Sequence, residues 1–121
     1  MTVLVVDDEQ QIVRLVTNVL AEIELQAETA ANGAEGLEQF RKHAAEIALV
    51  LTDIMMPEMN GLEMALRILE IRPDTKILFM SGYSDGAPEV RARKEFPFLR
   101  KPFLATELMR KVGEMLGIAR V

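Results

Sequence analysis

Val3-Leu4-Val5-Val6-Asp7-Asp8 is an unbroken apolar, mostly β-branched run that stops at two acids. A strand half exposed to water would alternate polar and apolar residues. Four apolar residues in succession instead predict a strand buried on both faces. The pattern then changes period. Ile12, Leu15, Val16, Val19, Leu20 and Ile23 recur at helical spacing and make one apolar stripe. Residues 26–30 form a weaker second strand. Asn32-Gly33 marks a turn into a helix carrying Leu37 and Phe40, and Ile47–Leu51 is a third strand that runs on to Asp53.

Farther out the alternation continues. Leu62, Ala65, Leu66 and Leu69 predict a helix with Asn60 as its cap, ending before Arg72-Pro73. Lys76–Met80 and Pro97–Arg100 are the fourth and fifth strands. Ala105, Leu108, Val112 and Met115 define a closing helix. The stretch Ala87–Glu95 is the poorest helix, with Val90 as its only large apolar residue. Strands alternating with helices predict an α/β fold, a doubly wound five-stranded parallel sheet covered on both faces.

The chain has 121 residues, half of them hydrophobic, and shows no repeat or linker, so residues 1–121 read as one domain. It contains no cysteine, which excludes thiol catalysis, disulfides and thiolate-bound metal. A net charge of −5 argues against direct binding of nucleic acid, which needs a basic face. No apolar run approaches the ~20 residues that span a bilayer, and the N-terminus lacks a signal-peptide pattern, so a cytoplasmic place is expected.

In an open parallel sheet, ligands sit beyond the carboxyl ends of the strands. Asp7 and Asp8 follow strand one, Asp53 follows strand three, Ser81 strand four and Lys101 strand five. Three neighbouring carboxylates repel one another and raise each other's pKa, a conflict that a bound divalent cation removes. Hard oxygen donors favour Mg²⁺, Mn²⁺ or Ca²⁺ over zinc. Asp53, alone at the end of the central strand, is the candidate nucleophile, since a carboxylate can attack phosphorus to give an aspartyl phosphate. Lys101 would add positive charge, and Ser81 a hydrogen bond to a phosphoryl oxygen. Each residue also has an ordinary reading: Asp8 as a helix cap, Lys101 as a solvated side chain, Ser81-Gly82 as a turn.

Val3-Leu-Val-Val-Asp-Asp-Glu-Gln10, Asp53-Ile-Met-Met-Pro-Glu-Met-Asn-Gly61, Met80-Ser-Gly-Tyr83 and Lys101-Pro-Phe103 together resemble the receiver domains of two-component response regulators, over essentially the full chain. The resemblance implies a (βα)5 flavodoxin-like fold with strand order 2-1-3-4-5. It implies that Asp53 is the phosphoacceptor and that Asp7, Asp8 and the backbone carbonyl of Met55 hold Mg²⁺, with Mn²⁺ as a substitute. Ser81 and Lys101 would engage the phosphoryl group, across a cis Lys101-Pro102 bond. Phe98 occupies the position of an aromatic switch, although its plain reading is a core aromatic. The implied partner is a histidine kinase or phosphotransfer domain, with slow self-dephosphorylation as the reset and no role as a metabolic enzyme.

Met80–Asp85 together with Phe98–Phe103 looks like receivers on the C-terminal side of hybrid histidine kinases, parts of larger, membrane-tethered sensors. Three features depart from the family pattern. The stretch from Ser81 to Lys101 is about two residues short, a Gly-Ala pair ahead of strand five is missing, and Leu104 stands where a capping Ser or Thr is usual. The last of these predicts fraying at the start of the closing helix. Rival readings are an interaction module that is never phosphorylated, a flavin binder, and a small aspartyl-phosphate phosphohydrolase. Asp7-Asp8-Glu9 would repel a flavin phosphate, and the adjacent acids do not match the phosphohydrolase spacing.

Overall fold

The computed structural model describes residues 1–82 and 96–118. The elements are β1 (Thr2–Val6), α1 (Gln10–Glu22), β2 (Gln26–Ala30), α2 (Gly33–His43), β3 (Ile47–Asp53), α3 (Gly61–Ile71), β4 (Lys76–Ser81), β5 (Phe98–Arg100) and α4 (Ala105–Leu116). The five strands form one parallel sheet in the order β2-β1-β3-β4-β5. The weak helix expected over Ala87–Glu95 lies outside the described residues.

Strand residues alternate between the two faces and build two cores. Leu4, Val6, Val50, Ile77 and Phe79 pack with Leu37 and Phe40 of α2 and Met64 and Ile68 of α3. Val3, Val5, Leu49, Leu51, Leu78 and Met80 pack on the other face with Val16, Val19 and Leu20 of α1 and Leu108 and Val112 of α4. A strand that feeds two cores is apolar on both faces through its middle. This is why β1 and β3 read as continuous runs while β2, at the edge, keeps only Ala30 fully buried.

Local chemistry explains most element ends. Asn32 and Asn60 cap α2 and α3, each accepting the N–H of the third residue on, Glu35 and Glu63, at 2.8 Å. Leu104 has no side-chain acceptor for α4. Instead Glu107 reaches back and accepts the Leu104 N–H at 2.9 Å, so half of a capping box holds the turn that was expected to fray. The stripe of α1 also departs from expectation. Val16, Val19 and Leu20 are buried, whereas Ile12 is half-buried and Leu15 is exposed. The methionines are likewise not all core fillers. Met56, Met64 and Met80 are buried, but Met1 and Met55 are exposed.

Candidate phosphoacceptor and metal site

Parallel register brings the polar residues together. Val6 pairs with Thr52, Asp53 with Met80 and Ser81 with Arg100, so Asp7, Asp53, Ser81 and Lys101 leave adjacent strand ends in near succession. Neighbouring strands lie ~4.8 Å apart, so Lys101, two strands from Asp53 and three from Asp7, meets the acids through the length of its side chain. The strand order reverses at β1, beside β3, and the acids stand at that switch point.

Asp7 and Asp53 are buried and Asp8 is exposed. Each offers a carboxylate oxygen, and these oxygens lie within 4.8 Å of one another. Asp7 Oδ1 accepts the Glu9 N–H at 2.9 Å, and Oδ2 accepts from Lys101 Nζ at 2.9 Å. The same ammonium stands 3.5 Å from Asp53 Oδ1 and 3.8 Å from Glu9 Oε1. The Asp53 carboxylate also takes the Ile54 N–H at 2.9 Å. Lys101 is placed by its own N–H, which donates to the Ser81 carbonyl at 2.7 Å, and its bond to Pro102 is cis.

One cation among three acids leaves the acids short of charge. Burial pushes the Asp7 carboxyl above the usual carboxylate range. The Glu9 N–H and the Lys101 ammonium pull the other way, and the Asp8 charge adds to the rise. For Lys101 burial acts to lower the pKa. It is outweighed by the hydrogen bond to Asp7 and the charges of Asp53, Asp7 and Glu9, which raise it. The lysine is satisfied while Asp7 is not. A divalent cation at the cluster fits this imbalance, and the hard oxygen donors suit magnesium-type ions.

Two ordinary readings fail. Asp8 does not cap α1, because the N-cap position falls on Glu9. Lys101 is not a solvated side chain, being only 13% exposed. Ser81 is buried at the end of β4, with its hydroxyl donating to the Gly82 carbonyl at 3.0 Å. Phe98 is half-buried and sits opposite Phe79 in the β4–β5 ladder. Met55 lies two residues past β3 with its side chain exposed.

Two contributors went unread in the sequence. Glu9 is a partner of Lys101, signalled only by its place after Asp7-Asp8. Gly61 lies so close to the Asp53 carbonyl that a Cβ there would come within 2.0 Å of it, and its N–H donates to the Ile54 carbonyl at 2.8 Å. Only glycine lets α3 start against the back of the Asp53 peptide. Beside the site a groove of about 440 Å³ runs between Ile12 and Leu15 of α1 and the Lys101–Phe103 turn.

The model of the response regulator receiver domain matches residues 3–113. This chain belongs to that family. The receiver domain is 34% identical over 116 residues to the response regulator receiver protein CpdR of Brucella abortus (strain 2308), covering 94% of this chain and 95% of that protein. It is 35% identical over 117 residues to the sensor kinase CckA of the same organism, but there it spans 95% of this chain and only 12% of the relative. A receiver domain protein structure from Clostridium thermocellum superposes with a TM-score of 0.86 at 29% identity, covering 96% of this chain and 94% of that one. The receiver domain of the hybrid histidine kinase CckA gives 0.82 at 25% identity, covering 96% and 99%.

The chain is thus a receiver domain of two-component systems, with the five-stranded 2-1-3-4-5 sheet that the resemblance implied. Receivers work with histidine kinases or phosphotransfer partners and with effectors. Among the described residues no helix is long and apolar enough to cross a membrane.

Proposed function

We propose that residues 1–121 act as one receiver that takes a phosphoryl group on Asp53. The observation that carries this is the meeting of the Asp7, Asp8 and Asp53 oxygens within 4.8 Å, with the Lys101 ammonium 3.5 Å from Asp53. A phospho-histidine imidazole, or a small acyl phosphate, presents phosphorus to a carboxylate oxygen of Asp53. The new O–P bond forms as the P–N or P–O bond of the donor breaks; an imidazole leaving group takes up a proton, whereas the carboxylate of an acyl phosphate leaves as the anion. Mg²⁺, or Mn²⁺ in its place, held by Asp7, Asp8, Asp53 and the Met55 carbonyl, would offset the charge that gathers on the phosphoryl oxygens.

Lys101 would shift from Asp7 toward the phosphoryl group, and Ser81 would rotate its hydroxyl from the Gly82 carbonyl to a phosphoryl oxygen. Lost contacts at Ser81 leave room for Phe98 to turn inward, the two-state element of the switch. Water attack at phosphorus releases phosphate and restores the carboxylate, so the domain catalyses its own reset. The partner is a histidine kinase or phosphotransfer domain in the cytoplasm, and the CckA resemblance favours a place within a hybrid kinase.

Incubation with acetyl phosphate and Mg²⁺, followed by intact mass measurement, should show one base-labile phosphoryl adduct. Asp53→Asn should abolish it, and EDTA should suppress it. An adduct that survives in Asp53→Asn removes the assignment.

A further inference from the structure

Glu9 carries a carboxylate that the phosphoryl chemistry leaves without a task. It occupies the N-cap position of α1, yet its side chain makes no capping bond. Its backbone is held on both sides. The N–H donates to Asp7 Oδ1 at 2.9 Å, and the carbonyl accepts from Ile12 and Val13 at 3.1 and 3.2 Å. From that fixed backbone the side chain brings Oε1 to 3.8 Å from Lys101 Nζ. Asp7 therefore grips Glu9 through one oxygen and Lys101 through the other, closing a three-residue ring at the rim of the site.

We propose that Glu9 is a positioning residue acting through Lys101: its carboxylate holds the ammonium at the rim and competes for it with the phosphoryl group on Asp53. The inference rests on Asp53 being the acceptor. The physical ground is that Lys101 is the one cation within ion-pair reach of Asp7, Asp53 and Glu9 among the described residues. A phosphoryl group adds acceptor oxygens to Asp53 without adding a second lysine. Of the three acids, Glu9 alone lies outside the carboxylate cluster, so it stays free to attract Lys101 when a cation occupies that cluster. Its side chain is 63% exposed, so water and salt weaken the hold and the competition is mild. A mild competitor trims the stability of the phosphorylated state without preventing it.

The test measures the affinity of beryllium fluoride, a tetrahedral phosphoryl analogue that bonds to a carboxylate, by calorimetry in saturating Mg²⁺ at low ionic strength. Glu9→Gln keeps the shape and removes the charge, and should tighten binding about threefold, as one partly exposed ion pair warrants. In a Lys101→Met background the same substitution should change nothing. Equal tightening with and without the lysine would mean bulk repulsion and overturn the proposal, as would unchanged or weaker binding in Glu9→Gln. A second reading covers the case where Lys101→Met binds too weakly. In the free protein the Lys101 side-chain ε-CH₂ NMR signal should move on Glu9→Gln, and a static signal counts against the contact. A wild type that ignores the analogue, or an Asp53→Asn variant that binds it, defeats the acceptor reading itself and this inference with it. Binding at Asp53 with no Glu9 effect sinks this inference alone.

Discussion

At the carboxyl ends of the strands three acids crowd one lysine, whereas at the amino ends one arginine serves two carbonyls and one acid. Arg72, just past α3, donates from its guanidinium to the carbonyls of Ala44 and Ile47 and to Asp74 Oδ1 at 3.1 Å. It ties the end of α2 to the start of β3 and leaves no charge in conflict. At the opposite end Asp7 is fully buried with its carboxyl raised, and Lys101 is divided among Asp7, Asp53 and Glu9. The amino ends are built to stay folded. The carboxyl ends hold a charge imbalance, which under the proposed function is what a cation or a phosphoryl group would act on.

The sharpest way to break this contrast is at Gly61. Gly61→Ala drives a methyl into the Asp53 carbonyl and should cost roughly 3 kcal/mol in chemical denaturation. It should also slow labelling by acetyl phosphate, because α3 can retreat only by moving the Asp53 peptide. Arg72→Ala should come next, losing about 2 kcal/mol as the Ala44 and Ile47 carbonyls lose their shared donor. Its labelling rate, measured below the melting transition, should match that of the parent. A slowed rate would mean the two ends are coupled after all.

Asp7→Asn should act in the opposite sense. Replacing a buried carboxylate whose ionised form is disfavoured should raise the melting temperature in EDTA, and it should erase the further rise expected of the parent in Mg²⁺. The pH dependence follows from the same two groups. Asp7 holds its proton more tightly folded than unfolded, so in EDTA stability falls as pH climbs from 3.8 through the higher native value. Lys101 has a native value above 10.5, so its contribution is complete below 10.5 and is lost as pH rises through the native value. Asp7→Asn should flatten the acid limb, and Lys101→Met the alkaline one. The smallest effect belongs to Glu58, held at φ 67° beside the site. Glu58→Gly should gain about 1 kcal/mol or less in denaturation midpoint analysis.

The strands were legible where they serve two cores, since the apolar runs Val3–Val6 of β1 and Ile47–Leu51 of β3 announce their burial. The caps at Asn32 and Asn60 were legible for a similar reason, each being a local bond between near neighbours. The outer part of the α1 stripe was not. Ile12 and Leu15 fit the helical period, but burial depends on what packs opposite, and there the α1 surface faces a groove. The strained residues Glu24 and Glu58 carry no signal either, because a glutamate gives no warning of a positive φ.

Residue order alone determined the alternation of strands and helices, and it put an acid, a serine or a lysine at four strand ends. These are properties of short stretches, fixed by periodicity and by where an apolar run stops. Only the tertiary structure decided that parallel register sets those ends side by side, that one lysine is divided among three acids, and that α3 begins against the Asp53 carbonyl. Such distances join residues as far apart in the chain as Asp7 and Lys101, and no local pattern encodes them.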